Sequence, residues 1–305
     1  MGTPEFAVPS LDMLMKEGYN VVAVITQPDK PKGRGNKLAT PPVKEYALSV
    51  GIPVLQPSKV KTLEFLNQLK ELNPQLFITA AYGRILSKEV LEVPSIGCIN
   101  VHGSLLPKLR GPAPIQWAII NGEKVTGITT MFTDIGMDTG DMLLKSKIFI
   151  SEEMTVGDLH DKMAVLGANV LKDTLLKLKQ GSLERVIQAE DEASYAPMLH
   201  KETGHINWSQ VCENIHNLVR GTNPWPGAFS FYKGDRIRIW KCKVCDDEKS
   251  NQRPGTILKV GKSGIRVATS TRALLVTDIQ FDSYRRMTVE EYLCGHNIDE
   301  GEILG

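Results

Sequence analysis

The sequence is short of the features that would place it in a special class. Cysteine occurs only five times in 305 residues, an odd number spread along the chain, which excludes a disulfide framework. No apolar run approaches the roughly 18 to 20 residues of a membrane span. The opening MGTPEFAVPS lacks both the basic and the apolar region of a secretory signal. Neither sign of charge is in excess: 36 Lys and Arg face 35 Asp and Glu, a formal net charge of +1. Taken as a sum, that balance argues against a nucleic-acid partner. There is no internal repeat and no low-complexity tract. What is present is ordinary: 42% hydrophobic and 23% charged residues exclude disorder and coiled coil as the main architecture. The expectation is a reduced, cytoplasmic, monomeric protein with no membrane association, large enough to bury a core without metal or staples.

The first part of the chain alternates short apolar runs with helical stretches. Asn20–Thr26, Leu76–Ala81, Gly97–Val101 and Gly127–Phe132 suit strands buried on both faces. Pro42–Val50, Leu63–Leu72 and Ile115–Ile120 read as helices, and Thr155-x-x-Asp158 caps a longer one with Leu159, Met163, Leu166 and Val170 at helical spacing. This pattern predicts an α/β domain over 1–180, Rossmann-like with a mostly parallel sheet. The polar stretch 181–197 reads as a linker. After it come a helix over Asn207–Arg220, the turn Asn223-Pro-Trp-Pro-Gly227 and five short alternating runs, which predict a small C-terminal β-barrel of OB-fold type over 198–305. Trp225, Phe229, Phe231 and Trp240 are expected in its core. A doubly wound sheet opens with a strand feeding a Gly-containing turn. Here Gly2-Thr3-Pro4 is such a turn, followed by a helix over Phe6–Lys16, with no strand before it. An apolar strand encoded in frame upstream is therefore expected.

The densest polar signal is Asn100-Val-His-Gly-Ser-Leu-Leu-Pro107. Asn100 and His102 lie two apart at a strand end and so share a face, in the position where open α/β sheets bind ligands. Asp138, in Gly136-Met-Asp-Thr-Gly140, sits in a Gly-flanked loop after another strand. An amide, an imidazole and a carboxylate suit acyl-type transfer to an amine, the amide donating to an oxyanion and the imidazole moving a proton. The same residues could instead merely satisfy backbone groups near a turn.

The stretch Asn100–Pro107, with Pro114-Ile-Gln-Trp117, Asn121-Gly122 and Asp134-x-Gly-Met-Asp-Thr-Gly-Asp141, resembles the folate-dependent formyltransferases. The resemblance extends over essentially the whole chain. Gly2-Thr3-Pro4-Glu5-Phe6-Ala7, Gln27-Pro-Asp-Lys-Pro-Lys-Gly-Arg-Gly35 and Asn223–Gly227 narrow it to members that act on an aminoacyl-tRNA. It implies formyl transfer from 10-formyltetrahydrofolate to the α-amine of methionyl-initiator tRNA, with no metal. Asn100, His102 and Asp138 match the catalytic positions, and Ser104, Leu105, Leu106 and Pro107 the folate-contacting segment. Lys30, Lys32, Arg34, Lys37 and Lys44 form a run with no acidic residue inside it. The resemblance sends that loop, through Lys30, Lys32, Arg34 and Lys37, to the acceptor arm, although a solvated surface loop is the usual fate of a charge run.

Two other readings compete. A related enzyme acting on an amino-sugar nucleotide or glycinamide ribotide would share Asn100, His102 and Asp138 without needing the basic loop. A non-catalytic RNA- or folate-binding module would use the same scaffold. Cys242-x-x-Cys245 without a second such pair is a weak zinc signal. Gly261-Lys-Ser263 lacks the first Gly of a phosphate loop, Thr256 standing there. Lys233, Arg236, Arg238, Lys241 and Lys243 alternate in a way that could track a nucleic-acid backbone or simply face water.

Overall fold

A computed structural model describes residues 1–32, 37–246 and 251–305. They form two compact units, one of Met1–Pro114, Val125–Phe149 and His160–Pro197, the other of Ile115–Lys124, Ile150–Leu159 and Met198–Gly305.

In chain order the helices are α1 (Val8–Lys16), α2 (Pro42–Ser49), α3 (Leu63–Glu71), α4 (Lys88–Leu91), α5 (Pro114–Ile120), α6 (Val156–Lys179), α7 (Cys212–Gly221) and α8 (Val289–Leu293). The strands of the first unit are β1 (Val24–Ile25), β2 (Lys30–Lys32), β3 (Lys37–Ala39), β4 (Val54–Leu55), β5 (Leu76–Thr79), β6 (Gly97–His102), β7 (Val125–Phe132) and β8 (Met142–Phe149). β1 pairs with β4 and β5 with β6, both parallel. β7 and β8 then continue antiparallel from β6. The parallel pairing expected of this domain is therefore that of β1–β4, a two-stranded sheet of its own, and of β5–β6, whereas the other two pairings of the four-stranded sheet β5-β6-β7-β8 are antiparallel. β8 was not anticipated: its alternating burial is that of a strand with one wet face, unlike the apolar runs that marked the others.

Local chemistry explains the elements. Thr62 accepts from the Phe65 amide at the start of α3, which buries Phe65 and Leu69. Thr155 and Asp158 cap α6 reciprocally, each side chain accepting from the other's backbone amide, and that helix buries Leu159, Met163 and Val170 as its spacing predicts. Gly2-Thr3-Pro4 does lead into the first helix. Met1 and Gly2 lie between β1 and β5: the Gly2 amide donates to Ile25 O at 3.0 Å and the Ala80 amide to Met1 O at 3.0 Å. Beside them opens an apolar cavity of about 730 Å³, bordered by Val24, Leu69, Phe77, Ile78 and Leu175.

The segment 181–197, expected as a linker, packs onto the first unit. Val186 and Met142 exchange backbone hydrogen bonds at 2.8 and 2.9 Å, and the Ala196 amide donates to Arg110 O at 2.7 Å.

The second unit carries an antiparallel sheet. Its strands are β9 (Ala228–Tyr232), β10 (Asp235–Val244), β11 (Ile257–Gly261), β12 (Gly264–Ala268), β13 (Ala273–Phe281) and β14 (Met287–Thr288), in the order β11-β12-β13-β10-β9 with β14 on β13. Trp208, Ile215, Val219, Ile239, Val267 and Leu274 belong to its core. The helix predicted from Asn207 begins only at Cys212. The Asn207 carboxamide accepts from the Ser209 amide, and this local turn competes with helix. Of the four aromatics expected inside, Phe229 is buried, while Trp225 is 53% exposed at the Pro-flanked turn. Trp240 is partly buried, its indole N–H donating to Gln280. The basic alternation is partly neutralised, since Lys233 pairs with Asp299 at 2.6 Å and Arg238 with Asp282 at 3.0 Å. Cys242 is buried in the core, where desolvation pushes its thiol pKa up. Among the described residues no cluster of three or more metal-ligating side chains occurs, and no helix is long and apolar enough to cross a membrane.

Candidate active site

β6 positions the first two candidate groups. Its register sets Asn100 beside Thr79 on β5 and Met131 on β7, and His102 opposite Thr129. Period-two alternation puts the Asn100 and His102 side chains on one face, as the spacing predicts. The Thr79 hydroxyl donates to Asn100 Oδ1 at 2.9 Å. That bond occupies the amide's acceptor and leaves its two N–H donors for another partner.

His102 is 5% exposed, and its Nε2 lies 3.0 Å from Leu109 O. A carbonyl only accepts, so Nε2 carries a proton and Nδ1 is the nitrogen left to exchange one. Nδ1 faces Asp138 Oδ2 at 3.6 Å, which the structure thus brings to the imidazole as an electrostatic neighbour beyond hydrogen-bond range. The ring is oriented by the Leu109 carbonyl rather than by a hydrogen bond to Asp138. Asp138 has φ +55° and accepts from the Gly111 amide at 2.8 Å. Its left-handed backbone is one that carboxylates tolerate better than most side chains, but it still needs support from its surroundings.

Ser104–Pro107 follows directly. The Thr129 hydroxyl donates to Ser104 O at 2.7 Å and accepts from the Leu106 amide at 3.1 Å. Lys145 donates to Leu106 O at 2.5 Å, and burial lowers its pKa. Ser104, Leu106 and Pro107 are buried, so Leu105 is the partly open side chain of the four.

The chain enters the basic run from neighbouring strand ends. Gln27 donates to Tyr82 O at 3.0 Å, joining the loop after β1 to the loop after β5. From there the chain enters the antiparallel β2–β3 pair, which carries Lys30, Lys32 and Lys37. Lys30 is exposed and donates to Gln27 Oε1. Arg34 lies outside the described residues. Lys44 is not a free cation of this run: it pairs with Asp29 at 2.8 Å and donates to Gln56 at 2.7 Å. Asp29 immediately precedes the run, so counting only inside it missed the compensating charge.

Sequence reasoning also missed Thr79, Arg110 and Gln188. Arg110, three residues beyond the Asn100–Pro107 stretch, carried no role in that reading. Its side chain is fully buried and donates to Gln188 and Glu190.

The comparisons bear on this arrangement. Residues 1–175 match the family model described as formyl transferase, and residues 198–297 the formyl transferase C-terminal domain. The methionyl-tRNA formyltransferase of Acetivibrio thermocellus is 63% identical over 100% of this chain and 98% of its own length. That of Ruminiclostridium cellulolyticum is 61% identical with the same coverage. Among solved structures, the sugar 3N-formyl transferase WlaRD, crystallised with dTDP and 5-N-formyl-THF, superposes with a TM-score of 0.69 at 18% identity over 93% of this chain and 97% of that one. The last likeness speaks for the fold alone. The matched family models and the full-length identities place the chain in the formyl transferase family.

Proposed function

We propose that this chain is an enzyme that transfers a formyl group from 10-formyltetrahydrofolate to the α-amine of methionyl-initiator tRNA, in the cytoplasm and as a monomer. The observation that carries the reading is full-length identity of 63% to a methionyl-tRNA formyltransferase, and the approach of Asp138 to His102, with Asn100 on the same face of β6, supports it. The N-terminal catalytic domain is 1–180, the connector 181–197 and the C-terminal domain 198–305. The all-antiparallel sheet of the last is compatible with an OB-type barrel that helps hold tRNA.

The chemistry follows from the donors present. An α-amine with a pKa of about 7.7–8.0 has a usable neutral fraction at cellular pH. Its nitrogen attacks the formyl carbon, the carbonyl π pair moves to oxygen, and the tetrahedral adduct carries an oxyanion. The free N–H donors of Asn100 stabilise that charge. His102, its Nε2–H committed to Leu109 O, takes the amine proton at Nδ1 beside Asp138 and gives it to the folate N10 as the oxyanion pair re-forms the carbonyl and the C–N10 bond breaks. Leu105 and the backbone of Ser104–Pro107 contact folate. Lys30, Lys32, Arg34 and Lys37 meet the tRNA phosphates.

Incubation with 10-formyltetrahydrofolate and Met-tRNA should yield formylmethionyl-tRNA, with turnover lost far more than folate affinity in Asn100→Ala and His102→Ala. Product formed only on an amino-sugar nucleotide or glycinamide ribotide would move the chain to a related transferase. Binding without any product would make it a non-catalytic module, and wild-type turnover in either variant would refute the assigned roles.

A further inference from the structure

Three consecutive residues touch the candidate triad's supports. Leu109 O holds His102 Nε2 at 3.0 Å, the Gly111 amide holds Asp138 Oδ2 at 2.8 Å, and Arg110 between them turns its side chain inward. The guanidinium donates through Nε to Gln188 Oε1 at 3.0 Å and through Nη1 to both Glu190 oxygens. Gln188 is itself buried and uses its other end on the Asp138 loop. Nε2 donates to Asp138 O at 2.7 Å and to Gly140 O at 2.8 Å. The carboxamide is therefore fully directed: Arg110 fixes which end is the acceptor, so both N–H donors point at the loop. The strap that carries Gln188 is itself tied down, by the Val186–Met142 pair and by the Arg110 amide donating to Ser194 O at 2.8 Å.

We infer that Gln188, oriented by Arg110, is a positioning residue for the transfer reaction: it holds the Asp138 loop so that the carboxylate faces His102 Nδ1. The backbone at Asp138 stands at φ +55°, a conformation that requires outside support. Two hydrogen bonds to the carbonyls at positions 138 and 140 bracket the Asp138–Gly140 segment and supply it. This assignment rests on the transferase reading above and adds a residue to it from a stretch that looked like a connector.

The test is a double-mutant cycle. Gln188→Leu removes both donors, and Gln188→Glu keeps the length and the acceptor for Arg110 while lacking the two N–H groups, so one variant retains the Arg110 anchor if the other folds poorly. Each is expected to lower kcat about 10- to 100-fold, part of the roughly 10²–10⁴ carried by general acid–base groups. KM for 10-formyltetrahydrofolate should stay within about twofold, as for loss of an interaction made in the transition state. Since Gln188 acts through Asp138, Asp138→Ala combined with either substitution should be no slower than Asp138→Ala alone. Losses that multiply in the double variant, or wild-type kcat in both Gln188 variants, would overturn the positioning role while leaving the transferase reading standing. Asp138→Ala with undiminished turnover would likewise overturn the positioning role alone, whereas wild-type protein that forms no formylated product would overturn both.

Discussion

Thr79→Val tests whether Asn100 is a pre-aimed donor. The substitution keeps the β-branched shape on β5 and removes only the hydroxyl that donates to Asn100 Oδ1 at 2.9 Å. Thr79 is 6% exposed, so water does not readily replace the lost donor. A neutral hydrogen bond of this kind contributes about 0.5–1.5 kcal/mol net. If that free energy is what holds the amide's N–H groups toward the reacting oxygen, kcat falls about 2- to 12-fold, since about 1.4 kcal/mol is a factor of ten. Deleting the donor outright, in Asn100→Ala, should cost about 10²–10³. Single-turnover formylation at saturating folate and Met-tRNA reads both numbers. Thermal melting should show a shift of about 2–4 °C per kcal/mol lost, as expected for domains of this size. A Thr79→Val enzyme at the wild-type rate would refute the claim that Thr79 aims the amide. One as slow as Asn100→Ala would show that the hydroxyl acts on the chemistry directly.

Three further outcomes are expected. A Cβ at Gly140 would lie 1.9 Å from Phe132 O, so Gly140→Ala must displace the Asp138 loop, and kcat should drop by about tenfold or more while the protein still melts cooperatively. Undiminished turnover would show that the loop tolerates the shift. Hydrogen bonds from Gln56 and Lys44 hold the Asp29 carboxyl below its ordinary pKa of about 3.9. The stabilisation from a lowered carboxylate is present above that value and is lost as pH falls through the folded-state pKa. The Tm difference between wild type and Asp29→Asn should accordingly shrink between pH 6 and pH 3, and a constant gap would count against the pair. Arg34→Ala should weaken use of tRNA and reduce its salt dependence while sparing folate binding. Identical tRNA kinetics across a salt titration would remove Arg34 from the interface.

Much of the first unit was legible because its signals are local. Apolar runs at β5, β6 and β7 and the two-residue spacing of Asn100 and His102 each need only neighbouring residues to be read, as does the Thr155–Asp158 cap in the second unit. β8 escaped because its alternation belongs to a strand exposed on one face. The start of α7 was misplaced because Asn207 offers the backbone a turn instead.

The charge balance at the outset shows where sequence stops. By itself the sequence determined the residue types, their periodicity and the placement of a basic run at a strand end, because side-chain direction along strands and helices repeats over a few residues. Only the tertiary structure decided which groups meet. Lys44 is neutralised by Asp29 and donates to Gln56, the imidazole is oriented by the Leu109 carbonyl, and Gln188 reaches Asp138 across 50 residues of chain. Contacts at such separation leave no periodic trace. A buried hydrogen bond depends on where the backbone brings donor and acceptor, and that place is set by packing of the whole unit.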